Sequence, residues 1–403
     1  MGAYGDTHRD AEGQAQTMEY RTAGESHGRA LVAVVSGVPA GVPLSAADID
    51  FDLARRQSGY GRGGRMGIES DRGVILSGVR QGATIGSPVA ITVANRDWDN
   101  WIDVMGTAAP SADAVVGAAV TAPRPGHADL GGCQRIGSTD ARDVLERASA
   151  RETAARVAAG AVAKALLRAL GVEVFSWVER IGPASCGPVA PADVDRGAVE
   201  ASEVRCPDAD AGTAMRAAID EARAAGDSLG GIVAVAATGV LPGLGGYAQR
   251  RDALDSRLAA AMLSIPAIKG VEIGEGFALA ATPGSRAHDA IVRSESGALR
   301  RASNHAGGIE GGMSNGETIL LRCAMKPIPT LMKPLATVDM VSGKAVGASK
   351  ERSDVCAVPA AGVVAESEVA LVLADAYTRM LGDTCLEDLL ARAALYRARI
   401  GEA

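Results

Sequence analysis

Aromatic residues are scarce in this chain, and positive charge is not in excess. Phe, Trp and Tyr together make up 3% of the 403 residues, and the formal net charge is −7. Proteins that hold single-stranded nucleic acid stack bases on aromatic rings, and proteins that bind nucleic acids or anionic membranes generally use a basic surface. The composition therefore excludes these general partners, and any anion site must be a local basic pocket.

Long apolar runs and paired cysteines are also missing. No run reaches the roughly 20 apolar residues of a membrane-spanning helix, and residues 1–17 lack the apolar core of a secretory signal. The six cysteines are widely spaced without a C-x-x-C pair, so we expect neither a metal site nor a disulfide framework. We expect reduced thiols in a cytoplasmic protein, a disordered extension or added leader over residues 1–17, and one domain over residues 18–403.

Strand and helix patterns are mixed without a regular βαβ period, which favours an α+β fold over a doubly wound sheet. Apolar, β-branched runs predict strands, and Ala-rich runs without proline predict helices. The predicted strands cover 30–37, 73–78, 88–93, 172–178, 231–239 and 318–324. The predicted helices cover 45–56, 153–170, 213–225, 252–263 and 363–381. Loops are expected over 94–123, 182–212, 302–316 and 326–354, and a tight glycine-punctuated segment is expected to begin over 270–276.

The helix over 153–170 has the features of an anion site at its start. Ser149 and Glu152 have the S-x-x-E spacing of a capping box, and Arg147 and Arg151 flank that start. The helix is rich in Ala and Gly on all sides, so we expect it to be buried. A helix N-terminus carries unpaired N–H groups and partial positive charge. The alternative, a capped core helix with surface arginines, remains open on this stretch alone.

A second basic stretch is interleaved with glycines. Arg55, Arg56, Arg62 and Arg65 lie within eleven positions of one another. Glycine lets the backbone approach a ligand closely, and the arginine fork binds phosphate or carboxylate through two hydrogen bonds. In an acidic chain this cluster favours a small anionic substrate, against the alternative of a solvated basic loop.

Short motifs suggest two other enzyme classes. Residues 24–28 match the G-x-S-x-G motif of serine hydrolases around Ser26, but a strand pattern follows where that motif needs a helix. Residues 243–248 match the G-x-G-x-x-A motif of nicotinamide-binding proteins, but the polar residues that follow do not resemble a helix start. A nicotinamide oxidoreductase and a non-catalytic anion-binding protein therefore stay as alternatives.

Taken together, the motifs resemble the chorismate synthase family from about Tyr20 to Leu390. Eight blocks occur in the family's order, and their combination is far more specific than any one of them. The first four are Ala23-Gly-Glu-Ser-His-Gly28, Gly59-Tyr-Gly-Arg-Gly-Gly-Arg65, Arg124-Pro-Gly-His-Ala-Asp129 and Arg147-Ala-Ser-Ala-Arg-Glu-Thr-Ala154. The others are Lys269-Gly-Val-Glu-Ile-Gly274, Ser303-Asn-His-Ala-Gly-Gly308, Gly311-Gly-Met-Ser-Asn-Gly316 and Arg352-Ser-Asp-Val-Cys-Ala-Val-Pro359.

The resemblance implies the last common step of aromatic amino-acid biosynthesis in the shikimate pathway. In that step, 5-enolpyruvylshikimate 3-phosphate loses phosphate and a C6 hydrogen by anti-1,4-elimination and gives chorismate. The resemblance also implies dependence on reduced FMN, a homotetramer, and a β-α-β sandwich with helices between antiparallel sheets. NADPH is implied only for flavin reduction. Since no reductase domain is recognisable in the sequence, we expect an external flavin reductase.

The family pattern also implies roles for individual residues. His27 would give a proton to the departing phosphate, His127 would protonate or hydrogen-bond the flavin, and Asp354 would assist deprotonation at the flavin. Residues that would bind substrate or NADP are Ser26, Arg56, Arg62, Arg65 and Arg151. Residues that would contact flavin are Arg147, Ala148, Ser149, Pro266, Ala267, Gly311, Lys326, Pro327, Ile328, Pro329, Thr330 and Arg352.

Three departures from the family pattern concern flavin binding and loop packing. Pro266 stands where Asn or Gln is usual, so an amide contact to flavin is lost. Leu130 replaces a usual Tyr, and residues 134–136 stand where a Lys-Tyr pair is common.

Overall fold

The computed structural model describes residues 17–63, 70–109, 119–295, 297–349 and 354–401. Most of the expected N-terminal extension, and the predicted site residues Arg65 and Arg352, lie outside these ranges. In the five ranges that are described, no helix combines the length and the apolar character needed to cross a membrane.

The strands are short and mostly occur in antiparallel pairs. The first half of the chain contains β1 (Glu19–Ala23), β2 (Ala30–Ser36), β3 (Gly73–Ser77), β4 (Val79–Arg80), β5 (Ala83–Thr84), β6 (Val89–Ala94), β7 (Glu173–Ile181) and β8 (Ala184–Ser185). The second half contains β9 (Gly231–Thr238), β10 (Ile268–Ile273), β11 (Ile291–Arg293), β12 (Leu299–Arg301), β13 (Ile309–Glu310), β14 (Met313–Ser314), β15 (Ile319–Met325), β16 (Ala336–Val338) and β17 (Ala345–Gly347).

The α-helices differ widely in length, and the longest is near the C-terminus. They are α1 (Ala46–Gln57), α2 (Ile102–Met105), α3 (Asp129–Ile136), α4 (Arg142–Ala148), α5 (Thr153–Ala169), α6 (Arg196–Ala201), α7 (Ala209–Ala225), α8 (Leu254–Ser264), α9 (Gly284–Ala287), α10 (Val358–Leu381) and α11 (Leu386–Arg399).

Two antiparallel sheets form the outer layers. The first has the order β1-β2-β6-β3 and the second has the order β10-β15-β9-β7-β8. Along β2, buried Leu31, Ala33 and Val35 alternate with less buried residues, so one face of the first sheet packs inward. Buried side chains from both sheets and the intervening helices form one continuous apolar core. The predicted α+β class is confirmed.

Helices α5 and α10 form the middle layer. Helix α5 packs on β2 and β6 of the first sheet, while α10 packs on β7 and β9 of the second, and the two helices contact each other along their length. At the crossing, a Cβ added to Gly160 would lie 2.2 Å from the Cβ of Ser367. This approach is closer than any side chain at residue 160 permits. The predicted sandwich with helices between antiparallel sheets is therefore confirmed.

A buried carboxylate joins the middle layer to the helix beside it. Glu366 on α10 is fully buried and accepts hydrogen bonds from Arg55 of α1, Lys164 of α5 and Ser176 of β7. Arg205 also donates to it. Burial raises the pKa of Glu366, but the charges of Lys164 and Arg55 outweigh that effect and hold it far below its usual value.

Several element boundaries differ from the sequence prediction. Helix α7 begins at Ala209, four residues earlier than predicted, because the Asp208 carboxylate caps it by accepting from the backbone N–H of Ala211. The expected loop over 182–212 contains α6, and the glycine-punctuated segment over 270–276 begins within β10, which pairs with β15. The sequence analysis did not predict helix α11. Strand pairing and the Asp208 cap outweighed the local glycine and proline signals.

The six thiols are free, and burial raises the pKa of five of them. For Cys186, Cys323 and Cys356 the pKa rises to about 12. The pKa values of Cys133 and Cys206 are also raised by burial. Across the described ranges, no group of three or more His, Cys, Asp or Glu side chains is arranged to hold a metal ion.

The contact between α5 and α10 gives a first prediction. Helix propensity alone favours Gly160→Ala by about 1 kcal/mol. The clash with Ser367 should reverse that sign and destabilise the protein by about 1–3 kcal/mol, the usual effect of overpacking a core. Urea unfolding measures the change. The matched control is Gly212→Ala in α7, where an added Cβ meets its nearest neighbour at 3.5 Å and should not destabilise. Equal stability of the Gly160→Ala variant and the wild type would contradict the close approach.

The buried Glu366 gives a second prediction. Glu366→Gln leaves Arg55, Lys164 and Arg205 without their shared carboxylate, so we expect a loss of about 3 kcal/mol at pH 7. Because the folded-state pKa of Glu366 is lowered, this stability is present above the unfolded-state pKa of about 4.3 and is lost as the pH falls below it. The difference in the free energy of unfolding between wild type and variant should therefore shrink as the pH falls from about 5 to about 3, on either side of the unfolded-state pKa.

Urea unfolding at each pH measures this difference. The exposed Glu387→Gln on α11 removes the same charge as a control and should change stability by less than about 0.5 kcal/mol. A wild-type-to-variant difference that is constant over the same pH range would show that the charge of Glu366 does not stabilise the fold.

Candidate active site

The N-terminal end of α5 is built much as the sequence predicts, with one exception. Ser149 caps a 3₁₀ turn over Ala150–Glu152, its Oγ accepting from the backbone N–H of Arg151, and α5 follows from Thr153. Glu152 does not complete the predicted capping box. Its carboxylate instead accepts from Thr22 Oγ1 of β1 and from Arg156 one turn along α5. The helix is buried as expected.

Two buried arginines meet at this end of α5 and share one carboxylate. Arg151 Nη1 lies 2.7 Å from Asp71, and Arg56 Nη1 lies 3.4 Å from it. Arg56 Nε also donates to Thr153 Oγ1 at 2.9 Å. Burial, followed by the nearby Arg151 charge, lowers the pKa of Arg56. Two buried guanidinium groups with one carboxylate leave net positive charge, which an anion would stabilise.

Asp354 and Arg62 lie at the edge of this arginine cluster. Their side chains form an ion pair at 2.8 Å, and the Asp354 carboxylate also accepts from the backbone N–H of Gly63 at 2.7 Å. Both charges are close enough to affect the pKa of Arg56. Two segments almost three hundred residues apart in sequence therefore meet, and three predicted substrate-binding arginines lie together with Asp354.

Ser26 and His27 lie in the loop between β1 and β2, against the start of the 3₁₀ turn. The Oγ atoms of Ser26 and Ser149 are 3.2 Å apart. His27 Nδ1 lies 3.0 and 2.9 Å from the two carboxylate oxygens of Glu146, and its ring stacks on Trp101 with centroids 3.8 Å apart. Sequence reasoning missed Glu146 and Trp101. The position of Glu146, directly before the Arg147–Ser149 motif, was the available signal for it.

Arg147 fastens the same loop to the first sheet. Its guanidinium donates to the carbonyl oxygens of Gly24 and Thr22 and to Thr22 Oγ1. Ala148, the last residue of α4, separates Arg147 from Ser149. The predicted flavin contacts Arg147, Ala148 and Ser149 therefore lie beside Ser26 and His27.

A second group of predicted residues surrounds His127. His127 Nδ1 is hydrogen-bonded to the buried Asp129, whose carboxylate also accepts two bonds from Arg124. Arg124 Nη1 donates to Thr330 Oγ1 at 3.2 Å, and Lys326 Nζ donates to the carbonyl oxygen of Gly126 at 2.8 Å. The structure thus brings His127 to the Lys326–Thr330 segment.

The residues between Lys326 and Thr330 line the same loop. A Cβ added to Gly126 would lie 3.5 Å from both Lys326 Nζ and Pro329 Cβ, and the Ile328 carbonyl oxygen accepts from Ser228. Burial and the nearby Lys269 charge lower the pKa of Lys326. Pro327 completes the predicted run. Arg124, His127 and Lys326 thus form a second basic group, and Lys326 contacts the backbone of Gly126.

Ala267 is bonded to Lys326 of the His127 group, and its backbone is strained. Its φ is +70°, a left-handed conformation that alanine rarely adopts and that costs about 1–3 kcal/mol. Its carbonyl oxygen accepts from the backbone N–H of Lys326 at 2.9 Å. Pro266 precedes it directly after the end of α8. Strain of this kind concentrates at functional sites, which agrees with the predicted flavin contact.

The structure does not connect every predicted residue. In the described ranges, no hydrogen bond or ion pair directly joins the His27 group to the His127 group, and Gly311 contacts neither group in this way. Gly311 instead lies in the turn between β13 and β14, and nothing lies within 4 Å of a Cβ added there. Two clefts of about 650 and 410 Å³ lie elsewhere and are not lined by these residues.

The alternative enzyme motifs do not fit the geometry. Ser26 lies between two antiparallel strands, β1 and β2, and not in the strand-to-helix turn of a serine hydrolase. The 243–248 segment follows β9, which pairs only antiparallel to its neighbours, and it leads into a 3₁₀ turn over Arg250–Asp252. A dinucleotide-binding unit needs a parallel sheet and a helix at that point.

Known proteins similar to this chain share one description. A family model described as chorismate synthase matches residues 18–378. The chorismate synthase of Moorella thermoacetica is 56% identical over 385 residues, covering 96% of this chain and 100% of that protein. The chorismate synthase of Rubrobacter xylanophilus is 55% identical over 382 residues, covering 95% and 97%. A crystal structure of chorismate synthase superposes with a TM-score of 0.76 at 38% identity, covering 97% of this chain and 100% of that one.

The arginine cluster gives a third prediction. Inorganic phosphate should bind beside Arg56 and Arg151 and raise the melting temperature, with about 1.4 kcal/mol of stabilisation at ten times its Kd. Arg56→Ala should lose most of this increment, measured by thermal unfolding with and without phosphate at matched ionic strength. Arg168→Ala, which removes an exposed guanidinium that forms an ion pair with Asp48, is the control and should keep the increment. An increment that is unchanged in Arg56→Ala would place the phosphate elsewhere.

Proposed function

The chain belongs to the chorismate synthase family of carbon–oxygen lyases that act on phosphates, and from that premise we propose the chemistry of its site. We propose that it converts 5-enolpyruvylshikimate 3-phosphate to chorismate by anti-1,4-elimination and depends on reduced FMN. The observation that carries the proposal is the convergence of Arg56, Arg62 and Arg151 with Asp354 at the start of α5.

The arginine cluster suits a departing phosphate. Arg56 and Arg151 are buried, and their charges exceed the single carboxylate of Asp71 that they share. The N-terminal end of α5 adds partial positive charge from the helix dipole. Charge that develops on the leaving oxygen is stabilised most by donors that are already fixed in a site shielded from water. These side chains are held by hydrogen bonds before any ligand arrives.

His27 is proposed to give the leaving phosphate its proton. His27 lies in the loop between β1 and β2, where Ser26 is hydrogen-bonded to Ser149. Ser149 directly precedes the 3₁₀ turn that contains Arg151. Proton transfer from a correctly positioned imidazole typically raises a reaction rate by about 10²–10⁴-fold. Asp354 is proposed to assist deprotonation at the flavin, and its ion pair with Arg62 holds its side chain in place.

The second group of residues fits an anionic, planar cofactor such as FMN. Lys326, Arg124 and His127 supply donors, and the carbonyl oxygen of Gly126 holds Lys326 Nζ in place. When bound, reduced FMN supplies electron density to the allylic system and takes up the substrate hydrogen. The residues proposed to hold it are Arg147, Ala148, Ser149, Pro266, Ala267, Gly311, Lys326, Pro327, Ile328, Pro329, Thr330 and Arg352.

His127 is proposed to hydrogen-bond or protonate this cofactor through its Nε2 atom. Its Nδ1 is occupied by Asp129, which is fixed in turn by Arg124. The Asp129 carboxyl is buried, which raises its pKa, but its bonds with His127 and Arg124 outweigh burial and hold the pKa well below its usual value. A charged carboxylate on Nδ1 fixes the orientation of the ring. Pro266 offers no amide to the cofactor, so the strained Ala267 backbone is the contact proposed there.

Further proposals concern the assembly and its surroundings. We propose a homotetramer, and the exposed apolar side chains of Ile291, Val292 and Leu299 on the β11–β12 hairpin supply a surface of the kind that subunits cover. One domain is proposed over residues 18–403. NADPH is proposed to act only in flavin reduction, with an external flavin reductase as supplier, and the free thiols support a cytoplasmic location.

Phosphate release from 5-enolpyruvylshikimate 3-phosphate under anaerobic conditions with reduced FMN tests the proposal. We expect wild-type turnover with formation of chorismate, and a loss of at least about 100-fold for His27→Ala and His127→Ala with the fold intact by circular dichroism. His288→Ala, an exposed histidine outside both groups, is the control and should keep full activity. If the protein instead oxidises NADPH in the presence of a substrate and releases no phosphate, the lyase proposal is wrong and the protein is an oxidoreductase.

A further inference from the structure

Glu146 makes an unusually complete set of contacts with the loop that carries His27. Its two carboxylate oxygens lie 3.0 and 2.9 Å from His27 Nδ1, and Oε2 also accepts from the backbone N–H of His27 at 2.9 Å. The backbone carbonyl oxygen of Glu146 accepts from the N–H of Ser26 at 2.9 Å. One residue of α4 therefore fixes both the backbone and the ring of His27.

The pair is shielded on its other sides. The Glu146 side chain is 1% exposed and the His27 side chain is 15% exposed. The indole of Trp101 stacks on the His27 imidazole, with an angle of 25° between the ring planes, and the Arg142 guanidinium lies 5.4 Å from the centre of the Trp101 ring. Held by a carboxylate at its edge and by an indole on its face, the imidazole has little freedom to rotate.

We propose that Glu146 is the positioning residue of His27: it holds the Nδ1–H and the ring orientation, so that Nε2 is the nitrogen that gives its proton to the departing phosphate. The inference deepens the proposed function, since it rests on the role of His27 as proton donor. The Nε2–H bond breaks, a bond to a phosphate oxygen forms, and the neutral imidazole that remains keeps its second proton on Nδ1, bonded to Glu146.

Glu146 is the charged partner of this pair. Burial raises the pKa of Glu146, but its hydrogen bonds and charge interaction with His27, together with Arg142, outweigh burial and lower it. Glu146 is thus a carboxylate at neutral pH, and a carboxylate accepts a strong hydrogen bond from an Nδ1–H. Arg142 also donates to Oε1 of this carboxylate at 3.1 Å. The other charged residues of the loop are Glu25 and Arg29.

The His27 ring can be observed without flavin or substrate. In the full-length protein with ¹⁵N-labelled histidine, ring ¹⁵N shifts report the tautomer and the titration of His27, assigned by comparison with His27→Gln. We expect neutral His27 to carry its proton on Nδ1. We expect Glu146→Gln to lower the titration midpoint, because the ring loses an adjacent opposite charge. A wild-type tautomer protonated on Nε2 alone would overturn the proposal, and this reading needs only the wild type and the His27→Gln variant used for assignment.

The kinetic arm separates positioning from a merely structural role. Activity that requires protonated His27 declines on the alkaline side, so Glu146→Gln should move that limb to lower pH by the same interval as the titration midpoint. We expect kcat to fall about 100-fold, with KM for the substrate changed less than about twofold. Glu146→Asp keeps the charge and should retain the wild-type midpoint to within about 0.3 pH units, well under the shift expected from charge loss.

Asp143→Asn is the matched control, because it removes one carboxylate from the same helix, where Asp143 bonds Ser138. It should change neither the midpoint nor the alkaline limb. Lower activity of Glu146→Gln with an unmoved midpoint and limb would show a structural role and overturn the inference. A shifted midpoint with wild-type kinetics would instead refute His27 as the proton donor and with it the catalytic part of the proposal. A wild type that releases no phosphate, but shows the Nδ1–H tautomer and the midpoint shift, would refute the proposed function and leave the His27–Glu146 pairing in place.

Discussion

The contact between Gly160 of α5 and Ser367 of α10 is the constraint on which the remaining geometry depends. Because these helices approach more closely than a side chain at residue 160 allows, they form a thin middle layer between two antiparallel sheets. Alanine-rich helices suit this layer, since small side chains let backbones pack tightly without cavities. The position of α5 then places its N-terminal turn, with Arg151 and Thr153, between the β1–β2 loop and Arg56 of α1.

The site built on that turn concentrates positive charge where water is largely excluded. Arg56 and Arg151 share Asp71, and Arg62 and Asp354 approach from segments far away in sequence. The two histidines follow one design. His27 and His127 each bind a buried carboxylate through Nδ1, from Glu146 and Asp129 respectively. Such pairing fixes the ring and directs Nε2 to the ligand. The fold thus prepares cation clusters and oriented imidazoles before substrate binding.

Much of the fold could be predicted from the sequence, because its main strands and helices carry strong local patterns. The strand over 30–37 and the buried helix from residue 153 agree with β2 and α5. The predicted capping role of Glu152 was wrong because its carboxylate accepts a hydrogen bond from Thr22 of β1 instead. Glu146 was missed although it directly precedes a predicted motif, and Trp101 carried no signal, since the importance of both lies in contact with His27, 119 positions away for Glu146. The motif resemblance grouped Arg56, Arg62 and Arg151, which lie together in the structure, while their binding role and the link between the His27 and His127 groups stay predictions.

The buried thiols have a practical consequence for chemical modification. Thiolates, and not thiols, react with alkylating agents and oxidants, and burial raises the pKa of Cys133, Cys186, Cys206, Cys323 and Cys356. These five side chains should therefore be slow to react with maleimides at neutral pH. With Cys385 replaced by serine, a cysteine introduced on an exposed loop would become a selective attachment point for a fluorophore or a spin label. The protein can thus be labelled at a chosen site without removing its core sulfur atoms.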